Sequence, residues 1–225
     1  MTQTLRSQFR IKWIRGNDKL DFDAPNVYFC IGNRGSGKSS FLEYVATQYL
    51  QNGHGILDQY ASRDGENLSW LRSPLIEGKN VCLLKGENVD VKQTKSSHDV
   101  KTISQLTLGD LEKYDLIISS SPLYSSIDSE FTETAGLTNL CYRRTHWRRL
   151  LFNITREASN LYYSRLKISN DQTQAKANLI YLLRESRHVG LSLGLDSIRY
   201  FSIDIDVRVV SDFQILKAQG LQGLS

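Results

Sequence analysis

The chain has 225 residues, 40% of them hydrophobic, and 28 Lys and Arg against 24 Asp and Glu give it a formal net charge of +4. That length suits one large α/β domain spanning 1–225 and leaves no room for a substantial second one. The weak positive charge permits contact with a polyanion without demanding it; three well-separated cysteines argue against a disulfide framework or zinc site, and no apolar run is long enough to span a membrane, so a cytoplasmic setting is expected.

In chain order, Phe9, Ile11 and Trp13 alternate with Arg10 and Lys12, and Gly16, Asn17 and Asp18 make a turn before Leu20 and Phe22. This pattern predicts an N-terminal β-hairpin over 1–25 leading into the core. Residues 27–31 (VYFCI) read as a short buried strand, and residues 40–50 carry apolar side chains at helical spacing. Between them Gly32, Asn33, Arg34, Gly35, Ser36, Gly37, Lys38 and Ser39 complete a GxxxxGK[ST] phosphate-binding loop, with Ser40 continuing into the helix. Glycines let the backbone turn tightly, so that successive N–H groups and the helix N-terminus converge on the β- and γ-phosphates. Lys38 adds a point charge, and the Ser39 hydroxyl is placed to bind a Mg²⁺ that also touches the phosphates. The expected ligands are ATP and Mg²⁺.

Further strands are predicted at 54–58, ending in Asp58, and at 81–84, 116–119, 150–154, 191–195 and 207–210. Helical patterns fall between most of them, the clearest through Ala175, Leu179, Ile180, Leu182 and Leu183, entered at Asn170-Asp171 and closed by Gly190. Leu68, Trp70 and Leu71 form another apolar helical stretch just after the second strand, and the polar residues 91–101 read as a loop. Alternation of strands and helices implies a mostly parallel sheet covered on both faces.

A nucleotide hydrolase of this class needs carboxylates at the carboxyl end of a strand near the phosphate loop. Asp115 precedes its apolar run and belongs at the wrong end. Asp196 closes its strand at the right end but is followed by Ser197. In the third candidate, apolar residues 150–154 run into Thr155-Arg156-Glu157-Ala158, with Glu157 where a general base belongs.

The loop, Glu157-Ala158-Ser159-Asn160-Leu161, Arg187-His188-Val189-Gly190 and Asp196-Ser197-Ile198-Arg199 together resemble the FtsK–HerA branch of RecA-like P-loop ATPases, and within it the small ATPases of archaeal viruses and plasmids. The resemblance implies a RecA-like fold, ATP hydrolysis, translocation or packaging of double-stranded DNA, a homo-oligomeric ring such as a hexamer, and residence in an archaeal or virus-infected cell. It also implies an arginine supplied by the neighbouring subunit; Arg184, Arg187, Arg199 and Arg208 are candidates, with Arg187 and Arg199 leading. Relatives commonly carry Asp-Glu-Ala where this chain has Arg156-Glu157-Ala158, and an arginine cannot support a Mg²⁺ water shell. Either Asp58 or Asp196 supplies the missing charge from a neighbouring strand end, or hydrolysis is slow and the protein is a nucleotide-dependent switch or assembly factor.

Two basic clusters are candidates for DNA contact. One is Arg143, Arg144 and Arg148, interleaved with Tyr142, His146 and Trp147; the other is Lys92 and Lys95 in the polar loop, with His98 and Lys101. Intramolecular ion pairs and a solvated loop are the competing readings.

Overall fold

The computed structural model of the protein describes residues 20–60, 66–85, 98–119, 127–160, 162–163 and 170–217. The hairpin expected over 1–25 lies outside them except for residues 20–25, as do Lys92, Lys95 and Leu161.

Eight strands form one sheet: β1 (Val27–Ile31), β2 (Gly55–Tyr60), β3 (Val81–Leu84), β4 (Asp99–Lys101), β5 (Leu116–Ser119), β6 (Leu151–Thr155), β7 (Leu191–Ser197) and β8 (Phe213–Leu216). Their order is β4-β3-β5-β2-β6-β7-β1-β8, and every pairing is parallel. Parallel strands are buried on both faces, so their centres read as unbroken apolar runs. β1 is an example: Val27, Phe29 and Ile31 point into one core, and Tyr28 and Cys30 into the other.

The helices α1 (Lys38–Gln51), α2 (Leu108–Lys113), α3 (Ile127–Tyr142), α4 (Asn170–Glu185) and α5 (Ile205–Val209) split between these cores. α1 lays Phe41, Leu42, Val45 and Leu50 on one face, joined by Trp70 and Leu71 of the 3-10 turn Glu66–Arg72. α3 and α4 cover the other through Phe131, Leu137, Leu179 and Leu182, with Leu111 of α2 and Val207 of α5. No helix among the described residues is long and apolar enough to cross a membrane.

Two predicted elements are corrected. The valine-rich 207–210 stretch is not a strand but lies in and just after α5: the Asp204 carboxylate accepts from the Asp206 amide, and Val210 N–H closes the turn on Asp206 C=O at 3.1 Å. A local cap and turn outweigh the β preference of three valines. The last strand is instead Phe213–Leu216, whose alternating burial marks an edge strand beside β1. The polar stretch assigned to a loop ends in a short edge strand, Asp99–Lys101, paired with β3.

Candidate nucleotide site

Most of the sheet's buried polar residues gather at its carboxyl edge. Asp58 and Gln59 end β2, Ser119 ends β5, Thr155 ends β6 and is followed by Arg156, and Asp196 and Ser197 end β7; all of them are buried. Ligands of open α/β sheets bind at this edge, and burial of so many polar groups is tolerated only where they bond one another or a ligand.

The phosphate loop leaves β1 there. Gly32 N–H bonds Ser197 C=O at 3.2 Å, and the loop turns back where Ser36 N–H meets Asn33 C=O at 3.1 Å. Gly35 and Gly37 have φ of +75° and +81°, the left-handed region that favours glycine. Gly32 is required for another reason: a Cβ there would lie 2.4 Å from Ser36 Oγ and 2.7 Å from Lys217 Cβ. Lys38 opens α1, and its Nζ donates to Asn33 C=O at 3.3 Å across the loop. Ser39 is half-buried in the first turn, Arg34 and Ser40 are exposed, and Ser36 Oγ is buried with no hydrogen-bond partner among the described residues. A glycine cradle with a folded-over lysine and an orphaned hydroxyl is built for an oxyanion.

Asp196 and Glu157 meet beside it. β7 lies next to β1, with Asp196 in register with Cys30, and β6 lies next to β7. The Glu157 amide donates to Asp196 Oδ1, and Glu157 holds φ at +47°, an uncommon conformation for a residue other than glycine. The Glu157 residue is exposed. Burial raises the Asp196 carboxyl to about 6, opposed by the Glu157 amide and by the charges of Lys38 and Arg156. Lys38, Arg156, Glu157 and Asp196 therefore share one electrostatic neighbourhood. A serine hydroxyl and one carboxylate are the sparse kind of protein donor set that Mg²⁺ accepts when phosphates and waters complete its shell.

Arg156 is buried and does not confront that site unpaired. Its Nε and Nη2 donate to the two Asp58 oxygens at 3.2 and 2.8 Å, and Nη2 also reaches Glu43 Oε1 of α1 at 2.9 Å. Trp70 Nε1 donates to Asp58 Oδ2 at 3.0 Å. Burial alone would lower the guanidinium pKa, but the Asp58 and Glu43 carboxylates outweigh it and raise it. Both Asp58 oxygens are thus engaged by Arg156 and Trp70.

The arginines separate by location. Arg199 follows β7 at the carboxyl edge and is exposed, while Arg208 stacks on the Tyr200 and Phe201 rings, 4.8 and 5.2 Å from their centroids. Arg187 sits before β7 at the opposite edge, pairing with Asp212 at 2.8 Å; the other Asp212 oxygen caps Val27 N–H at the start of β1. Within the chain Arg187 is not brought to the loop. The 142–149 cluster lies at that same far edge, and one member is corrected outright. Arg144 is 3% exposed and donates to Glu112 at 2.7 Å and to the carbonyls of Val189, Gly190 and Arg149, so it is not a DNA-facing side chain. Arg149 pairs with Asp115 at 2.6 Å, and Asp115 immediately precedes β5 at that edge. Arg143 and Arg148 are exposed. Lys217 was not singled out in the sequence; it is half-buried and lies against the loop, and only the β1–β8 pairing reveals it.

No protein-family model matches the chain, and no curated protein matches it in sequence. Among solved structures it is similar to B204, the DNA-packaging ATPase from Sulfolobus turreted icosahedral virus, at 18% identity over 86% of this chain and 76% of that one, with a TM-score of 0.50. The genome packaging NTPase B204 of Sulfolobus turreted icosahedral virus 2 in complex with sulfate gives 14% identity, 85% and 74% coverage and the same TM-score of 0.50. The chain has the RecA-like P-loop fold. At the level of fold, this is what the resemblance to the FtsK–HerA branch implied. The phosphate loop strand β1 stands between β8 and β7, and the Glu157 strand β6 follows one place further on.

Proposed function

We propose that the chain is an ATP-hydrolysing motor of the FtsK–HerA type that acts on double-stranded DNA as a ring of identical subunits. One observation carries this reading: the Gly32–Ser39 loop, Asp196 and Glu157 come from three neighbouring strands and converge at one edge of the sheet.

In this reading the loop amides and Lys38 hold the triphosphate, with Ser36 of the loop and Ser39 and Ser40 of the first turn around it. Ser39 and Asp196 would hold Mg²⁺, which would supply charge neutralisation for the phosphates. Glu157 accepts the proton of the attacking water. Its main chain is fixed by the bond to Asp196, so the base and the metal-side acid are positioned together. Arg199, exposed at the same edge, is suited to meet a γ-phosphate across a subunit boundary, and Arg187 is suited to that role only toward a neighbour's site. Arg143 and Arg148 are the remaining described residues of the basic cluster offered to DNA phosphates, at the far edge of the sheet.

The second reading, a switch that binds ATP and barely hydrolyses it, is favoured by Arg156 standing where an acid is common. Its neutralisation by Asp58 and Glu43 weakens that argument.

The deciding experiment is ATP turnover with and without duplex DNA for wild type, Lys38→Ala and Glu157→Gln. Wild type is expected to turn over at least about 100-fold faster than Glu157→Gln, the scale of a positioned general base, with DNA raising the wild-type rate. Tight ATP binding with turnover equal to that of the Glu157→Gln variant would favour the switch.

A further inference from the structure

We propose that Lys217 is a second cation of the nucleotide site, contacting the α- and β-phosphates from the side opposite Glu157. The inference rests on the ATP-binding reading above.

The placement follows from the sheet. β8 runs parallel to β1 with Leu216 in register with Ile31, so the next residue is delivered beside the first glycine of the loop. Lys217 N–H bonds Ile31 C=O at 2.7 Å, fixing the backbone there. Its side chain then follows the loop. Lys217 Cβ lies against Gly32, 2.7 Å from where a Cβ would be, while Cε and Nζ lie 3.8 and 4.0 Å from the corresponding point at Gly37. The Nζ is 5.9 Å from the Phe41 ring centroid on α1. Lys217 is therefore laid from one end of the phosphate loop to the other, with its ammonium group beside the helix N-terminus. A triphosphate carries several negative charges, and a cation on the β8 side adds to Lys38, the backbone dipoles and the Mg²⁺ of the motor reading.

The sheet order decides which phosphates it meets. Asp196 and Glu157 stand on the β7 and β6 side of β1, where the terminal phosphate is attacked in the motor reading. Lys217 stands on the β8 side, so it belongs to the part of the chain that ADP retains.

The test is equilibrium binding of ATP and of ADP to wild type, Lys38→Ala, Lys217→Met, Lys217→Gln and Lys217→Arg, with thermal unfolding of each variant without nucleotide. Loss of one charge-assisted contact is expected to weaken ATP and ADP by the same factor, about tenfold, in both neutral variants. Lys217→Arg should stay within about threefold of wild type, and unliganded melting temperatures should be unchanged, a pattern that a merely structural lysine would not produce. Wild-type affinities in Lys217→Met and Lys217→Gln would overturn the proposal while leaving the motor reading intact. A loss confined to ATP would overturn the α/β assignment. Wild type that binds neither nucleotide would sink the motor reading and this proposal with it.

Discussion

At the scale of the residue, Arg156 changes meaning between sequence and structure. Read along the chain it occupies an acid's place and weakens the case for hydrolysis. In the fold it is buried at the end of β6 and balanced by Asp58 at the end of β2 and Glu43 on α1, partners 98 and 113 positions away. Breaking one side of a buried ion pair leaves an uncompensated charge, which costs about 3–5 kcal/mol. Placing an acid there, Arg156→Asp, would set two carboxylates against each other, so it should destabilise by at least that range. The double variant Arg156→Asp/Asp58→Asn should recover a substantial part. Urea denaturation of the three proteins decides this, and Arg156→Asp as stable as wild type would show the pairing to be incidental. Glycine at 32, 35 and 37 and the Lys38-Ser39 pair were legible because their spacing is local. Arg156's partners were not, because nothing in a linear chain states which strand ends become neighbours.

At the scale of the element, the buried parallel strands were readable: 27–31, 81–84 and 116–119 coincide with β1, β3 and β5, since a strand buried on both faces needs an unbroken apolar run. The edges were not. β4 and β8 are half-exposed and carry polar residues, and the valines of α5 imitate a strand until Asp204 caps them. The segment between α3 and β6 makes the same point for charge. Arg144 looks like its neighbours in sequence, yet it bonds three carbonyls and Glu112, and Trp147 packs on Gly190, where a Cβ would lie 2.3 Å from the indole ring. Arg144→Ala strands those buried groups and should cost about 2–4 kcal/mol, whereas Arg148→Ala, at an exposed position, should stay within about 0.5 kcal/mol. Comparable urea midpoints for the two variants would contradict the structural role given to Arg144.

At the scale of the whole molecule, the segment between β7 and β8 exposes Phe201, Ile205 and Val209, which are 51%, 61% and 75% accessible. Apolar residues exposed along the one segment that follows Arg199 suit contact with a second subunit, in line with the ring proposal. Specific ATPase activity should therefore rise with protein concentration, and Ile205→Glu should lower it and shift sedimentation toward monomer; concentration-independent turnover by a monomer would contradict the ring. The sequence by itself determined the phosphate loop, the alternation of strands and helices and the position of Glu157 at a strand end, because each is written in residues adjacent in the chain. Tertiary structure decided which strands stand side by side. By placing β7 between β1 and β6, it set Asp196 against Glu157; by pairing β6 with β2, it neutralised Arg156; by pairing β8 with β1, it laid Lys217 along the loop. Strand order is fixed by how helices cover both faces of the sheet, a collective packing outcome with no short-range signature.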